Sequence, residues 1–160
     1  MRAAAFAVHA AFAAALAALP GAGAQAETFR LSYGFSFGSV LEAEITGDLQ
    51  EDGDTVIVSS VAQARLDGVA GPEMPFVTSL ADLVDGTAGH PPVLTLSGEG
   101  NDFSVCSDES CTGDFITFDG VKQVFGMPGI FTSPAFGNTM SGGAHAGETY
   151  DAARYILEPA

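Results

Sequence analysis

Phe29-Arg30-Leu31-Ser32-Tyr33-Gly34-Phe35-Ser36-Phe37, followed after Gly38-Ser39-Val40 by Leu41-Glu42-Ala43-Glu44-Ile45-Thr46, is the stretch that decides the fold. Phe29, Leu31, Tyr33, Phe35 and Phe37 recur at every second position, and Leu41, Ala43 and Ile45 repeat the rhythm against Glu42, Glu44 and Thr46. Period two marks strands with one buried face. Facing residues of a hairpin share a side, so the connection must be odd. The shortest choice, residues 38–40, sets Phe37 opposite Leu41 and Phe35 opposite Ala43.

Working outward, Leu49 ends the second strand and Gln50-Glu51-Asp52-Gly53-Asp54 is a turn. A third strand runs from Thr55 to about Leu66, with Val56, Val58, Ala62, Ala64 and Leu66 in phase. Pairing Leu49 with Val56 keeps one core face and leaves a four-residue loop, 51–54. The result is a three-stranded antiparallel meander. Two prolines and a glycine make 69–75 a connection. Over 76–85, Phe76, Leu80, Leu83 and Val84 fall at helical spacing, and Thr78 or Ser79 would cap a short helix. Further strands are expected at 93–96, 103–106 and 115–118. Residues 126–147 read as a long loop or a poorly paired edge, and 150–157 as a closing strand.

Ahead of all this lie Arg2, an apolar run over 3–19, and Ala24-Gln25-Ala26. That order of basic, apolar and small residues is a secretory signal ending at 26. A membrane anchor would need about 20 apolar residues and no cleavage site. The domain is then residues 27–160, with four bases against 20 acids and a net charge of −16 before any histidine protonates. Such a field repels phosphate backbones and anionic lipid, which argues against nucleic acid and a membrane surface as partners. It keeps an exported domain dispersed, and it attracts cations or a basic partner. No second apolar run reaches the length of a membrane span.

Cys106 and Cys111 bracket Ser107-Asp108-Glu109-Ser110. In an exported chain two near cysteines read as one disulfide, closing a small loop and contributing about 2 kcal/mol. No further ligand at usable spacing supports a metal, and a redox pair is more typically Cys-x-x-Cys.

His90 and His145 stand in loops, neither in a metal-ligand pair nor after a nucleophile elbow. Carboxylate pairs abound: Glu42 with Glu44, Asp82 with Asp85, Asp108 with Glu109. A glycosidase needs one such carboxyl buried in a sugar cleft, which usually offers tryptophan, and tryptophan is absent. Glu51, Asp52 and Asp54 resemble part of a calcium loop without the full spacing, and Asp102 could converge on the same edge. These four are the candidate ligands for weak extracellular calcium. Turn chemistry explains them as well.

Three segments, 44–60, 71–77 (Gly71-Pro72-Glu73-Met74-Pro75-Phe76-Val77) and 102–111, resemble a group of small exported bacterial proteins that often carry a PEP-CTERM sorting tail. The resemblance implies a β-rich ectodomain without assigned activity and supplies no catalytic residues. Ile156-Leu157-Glu158-Pro159-Ala160 lacks the apolar span and basic terminus of such a tail, which implies release rather than membrane processing.

The expectation is therefore an all-β fold, an antiparallel β-sandwich or open barrel built on the N-terminal meander, as one domain over 27–160. Its expected role is a secreted or periplasmic, non-catalytic binding or envelope/extracellular-matrix component, with no enzymatic activity, no membrane anchor and no cofactor beyond weak calcium. Its partner would be an unidentified protein or glycan. A calcium-dependent adhesion or carbohydrate-binding module is the alternative. A secreted hydrolase would require His90 or His145 beside an acid and a serine, and a barrel around an apolar cavity would indicate a lipocalin-like carrier.

Overall fold

The computed structural model describes residues 26–86, 88–120, 129–133 and 146–160. The signal-peptide reading falls, apart from Ala26, outside the described residues, as does His145.

The alternating stretch forms β1 (Glu27–Gly34) and β2 (Val40–Leu49), and the third strand is β3 (Thr55–Leu66). The first hairpin differs from the expected register: Tyr33, not Phe37, faces Leu41, and Gly34 faces Val40. Its loop has five residues, 35–39, closed by the Phe35 amide on the Ser39 carbonyl (2.8 Å) and the Gly38 amide on the Phe35 carbonyl (3.0 Å). The parity of the loop is unchanged, so the faces hold. Aromatic packing explains the earlier turn. Phe35 folds back edge-on to Tyr33 (centroids 5.2 Å) and is buried, while Phe37 stacks over Phe35 (5.0 Å) and stays 45% exposed.

Between β2 and β3 the expected pairing of Leu49 with Val56 is present, and the Gln50 amide bonds the Thr55 carbonyl (2.8 Å). The phase of β3 is not continuous. Two bulges place an extra residue on β3, at Ser59 and near Gln63, whose φ is 52°. Each bulge reverses the alternation. Val56 and Val58 face inward, Val61 replaces Ala62 against the core, and Ala64 returns inward. Ala62, expected in phase, is exposed.

A tight Asp67-Gly68 turn, both residues at positive φ (50° and 78°), leads to β4 (Val69–Ala70) on β3. That start of 69–75, expected to be unpaired, is a hairpin with the backbone signature of an Asp-Gly turn. The segment 76–85, read at helical spacing, divides into β5 (Phe76–Thr78) and α1 (Leu80–Asp85), with Ser79 Oγ accepting the Asp82 amide (3.0 Å) as the cap. Then come β6 (Val93–Thr95), β7 (Asp102–Cys106) and β8 (Phe115–Asp119). Within the Gly-rich stretch, β9 (Gly129–Thr132) and β10 (Ala146–Thr149) pair with each other, so that stretch is not simply a loop. The closing strand β11 is Tyr155–Pro159, because Asp151 caps a single 3-10 turn, Ala152–Arg154, ahead of it.

Every pairing is antiparallel, in the order β10-β9-β8-β7-β6-β3-β2-β1-β11, with β4 added to β3 and β5 to β7. The sheet curls into a half-barrel, which fits the expected all-β open barrel or sandwich. Phe29, Tyr33, Leu41, Ile45, Val56, Leu94, Phe103, Val105, Ile116, Phe118 and Ile130 are fully buried in one cluster. At the β11 edge, the Ala160 amide bonds the Thr28 carbonyl (2.9 Å), so even-numbered residues bond β1 and odd ones aim their backbone outward. Pro159, which has no N–H, holds an outward position and blunts that edge. Cys106 and Cys111 form a disulfide at the end of β7 (Cα–Cα 5.1 Å). No helix among the described residues is long and apolar enough to cross a membrane.

Candidate functional site

The four acids named for calcium are each placed by a turn. Asp52 accepts the amides of Asp54 (3.0 Å) and Thr55 (2.9 Å) and the Thr55 hydroxyl (2.6 Å), and these bonds, the hydroxyl foremost, hold its carboxyl below the ordinary 3.8. Asp54 accepts the Ser97 amide (2.6 Å) and hydroxyl (2.8 Å), tying the turn at 51–54 to that at 97–101. Asp102 accepts the amides of Leu80 (2.7 Å) and Ala81 (3.1 Å) at the start of α1. Glu51 is exposed in its turn. Three of the four thus already serve backbone donors. Among the described residues, no three His, Cys, Asp or Glu side chains gather as metal ligands. In the disulfide loop Asp108 plays the same part, accepting from Ser110 (Oγ 2.5 Å) and the Gly113 amide (2.6 Å).

Glu42 and Glu44 lie on the outer face of the sheet. Glu42 is opposite Arg65, and Glu44 is opposite Arg30 and accepts from Gln63 Nε2 (2.8 Å). The two line an open recess of about 290 Å³ together with Arg30, Arg65 and Glu158, a face with charges of both signs.

His90 does meet an acid: its Nδ1 is 2.7 Å from Asp82 Oδ1, and Asp82 also accepts the amides of Gly89 (3.1 Å) and His90 (3.2 Å). The carboxylate raises the His90 pKa above 6.5, and the imidazole lowers that of Asp82 below 3.8. The serine at hand, Ser79, uses its Oγ as the helix cap on the Asp82 amide.

Among the described residues, a network of polar and aromatic side chains forms where β10 and the link to β11 meet the β1–β2 hairpin. The curl of the sheet brings these distant segments together. Glu148, its side chain only 8% exposed, accepts the Ser36 amide (2.9 Å), the Ser36 hydroxyl (2.5 Å) and the Tyr33 hydroxyl (3.1 Å). Tyr33 Oη also accepts the Asp151 amide (3.2 Å). Arg154 lies 3.5 Å from Glu148 and 3.4 Å from Asp151. Tyr150 stacks on Tyr33 (5.6 Å), donates to the Gly98 carbonyl (2.7 Å) and accepts from Asn101 Nδ2 (3.2 Å). Asn101 is itself buried, its Oδ1 accepting the Thr95 amide (2.8 Å). Burial pushes the phenols of Tyr33, Tyr150 and Tyr155 above their ordinary 10.0, so all three stay protonated.

Two recesses open on this rim. One, about 560 Å³, is lined by Ser36, Glu148, Thr149, Tyr150, Asp151, Ala152 and Arg154. The other, about 270 Å³, is lined by Gly98, Glu99, Gly100, Gly120, Tyr150 and Ala152. Tyr150 and Ala152 belong to both, so the recesses adjoin. None of the residues named from the sequence for calcium lines either. Glu148 and Arg154 carry no local motif, and 115 residues separate Tyr33 from Glu148. The sequence reading placed Phe37 on the buried face of the first strand and singled out none of these residues as a site. No family model matches this chain, and no curated protein and no solved structure matches it.

Proposed function

We propose that this chain is an exported, non-catalytic recognition domain, a component of the envelope or extracellular matrix, whose contact surface is the rim joining the β1–β2 hairpin to the β10–β11 link. The observation that supports this reading is the contrast between the interior and the rim. The interior is filled by fully buried aromatic and aliphatic side chains, which leaves a scaffold. At the rim, Phe37, next in the chain to recess-lining Ser36, is exposed, and Asp151 and Arg154, both partly exposed, edge a recess. Recognition usually resides on loops held by a rigid sheet. The disulfide is compatible with a compartment outside the cytoplasm.

Two measurements test the reading. Mass spectrometry of the chain from the periplasm and the medium should find it beginning at Glu27. Residues 27–160 should be retained on envelope or matrix fractions, and Phe37→Ala or Arg154→Ala should weaken retention while the domain stays folded at the assay temperature. Turnover of a hydrolase substrate, lost in His90→Ala, would overturn it in favour of a hydrolase.

A further inference from the structure

We infer that the slot between β3 and residues 71–75 docks a short, basic, extended peptide segment of a partner protein, held by main-chain pairing to Val61. The slot shares no lining residue with the two recesses of the rim, so the inference goes beyond the recognition reading and does not rest on it.

The sheet parts along β3. On the side away from β2, β6 pairs residues 55–57, and the Val58 amide bonds the Pro92 carbonyl (2.9 Å). The next backbone bond on that side is the Gly71 amide on the Ala64 carbonyl (2.8 Å), followed by β4. Residues 59–63 have no backbone partner there among the described residues. The chain beyond Gly71 leaves β3 to reach β5, which is laddered to β7. Pro72 and Pro75 bring no N–H to draw it back, and bulges bend β3 at both ends of the gap. A recess of about 420 Å³ opens between the two stretches, lined by 61–64 and 70–75.

Register decides which backbone groups face the slot. The Asp67 amide bonds the Val40 carbonyl (2.9 Å), and the Gln50 amide bonds the Thr55 carbonyl (2.8 Å). The register of β2 with β1 is unbroken, so every even-numbered residue of β2 aims its backbone at β3. Thr46 and Glu44 face Ser60 and Ala62, whose N–H and C=O therefore point to β2. Val61 stands between them and points its N–H and C=O the other way, into the slot. One residue of an extended chain satisfies such a donor and acceptor together. The gap from 59 to 63 measures roughly 13 Å, the length of about four extended residues.

The walls select the side chains. Ala64 and Met74, both buried in the core cluster, give the slot an apolar floor. A peptide residue opposite Val61 shares its inward face, so alternate positions of the segment are apolar. Gln63 is engaged by Glu44 and Arg65, whereas Glu73 is exposed at the rim with no ion pair or hydrogen bond among the described residues. With the −16 carried by residues 27–160, Glu73 favours lysine or arginine at the outward positions.

The test is an NMR titration of residues 27–160 with the end-blocked peptide Lys-Val-Lys-Val-Lys at millimolar concentration, followed by amide hydrogen exchange. The Val61 amide should exchange rapidly in the free protein and be protected about tenfold by the peptide. Shifts should concentrate at 61–64 and 70–75. The same peptide N-methylated at both valines, whose N–H groups would face β3, should bind about tenfold more weakly. Glu-Val-Glu-Val-Glu should not bind, and Glu73→Lys should weaken the basic peptide several-fold in a folded domain. No binding, a Val61 amide already protected in the free protein, shifts away from the slot, or equal binding of the N-methylated or acidic peptide overturns the inference. If the peptide fails while Phe37→Ala and Arg154→Ala still weaken envelope retention, the slot falls and the recognition reading stands. If the peptide binds and those variants leave retention unchanged, the recognition reading falls alone.

Discussion

Tyr33 and Tyr155 face each other across β1 and β11, and both are buried, yet their hydroxyls are in opposite positions. Tyr33 Oη donates to Glu148 and accepts from Asp151, whereas Tyr155 Oη has no hydrogen-bond partner among the described residues. Removing a bonded hydroxyl forfeits its bonds and orphans its partners, while removing an unbonded one relieves a desolvated group. Tyr33→Phe is therefore expected to cost about 1–2 kcal/mol in urea unfolding, and Tyr155→Phe to be neutral or stabilising. A loss of stability in Tyr155→Phe would reveal a partner for that hydroxyl.

His90 gives a second expectation at this scale. Its pKa is raised by Asp82, so the contact is fully present below 6.5 and is lost as pH rises through the higher folded value. Asp82 is depressed, so its share is present above 3.8 and is lost as pH falls through its lower folded value. The contact thus operates between acid and neutral pH. An NMR titration of His90 should give a pKa above 6.5 that returns to the ordinary value in Asp82→Asn. Because the Gly89 and His90 amides still bond Asp82 at high pH, the backbone there should shift little.

At the scale of elements, the bulged pairing of β2 with β3 is the tightest constraint. Gly47 lies at the second bulge, and a Cβ there would meet the Ile57 carbonyl at 2.5 Å and Val56 Cγ1 at 2.7 Å. Backbone cannot yield as a flexible side chain does, so Gly47→Ala should cost about 1–3 kcal/mol. Gly34, also paired to β2, has nothing within 4 Å of its would-be Cβ. Gly34→Ala should stay within about 0.5 kcal/mol.

The edge strand β10 makes the complementary case. It is laddered to β9 alone, and Glu148 fastens it across to the first hairpin. Glu148→Ala should cost about 1–2 kcal/mol, since it removes the acceptor shared by Tyr33 and Ser36, while the exposed Ser36 amide and hydroxyl turn to water. Arg154→Ala, at 3.5 Å and 41% exposed, should cost less than about 1 kcal/mol. Equal losses would assign the fastening to the ion pair. The alternation of β1 and β2 and the loop over 51–54 were legible because they follow from period and parity alone. The bulges in β3 were not, since Ser59 and Gln63 carry no local mark. The Asp67-Gly68 turn was passed over, because the prolines and glycine of 69–75 made the whole segment read as an unpaired connection.

For the whole molecule, the acids described in turns are tied to backbone amides, and the remaining field is diffuse. Self-repulsion at −16 should be relieved by any salt. The melting temperature of residues 27–160 is thus expected to rise with sodium chloride, and to be equal in millimolar calcium and magnesium at matched ionic strength. A calcium-specific rise of several degrees, abolished in Asp52→Asn or Asp54→Asn, would restore the turns at 51–54 and 97–102 as a calcium site.

The sequence alone determined that the chain is β-rich, which face of β1 and β2 is buried, that Ser79 or Thr78 begins a short helix, and that Cys106 and Cys111 suit one disulfide. Each depends on neighbours within a few residues, where side-chain period and cap chemistry act directly. Only the tertiary structure decided where the hairpin turns, how β3 shifts phase, and which side chains gather at the rim. Those outcomes depend on the curl of the sheet, which carries Glu148 across to Tyr33 and Ser36. A curl is summed over all the strands together and leaves no signature in any one of them.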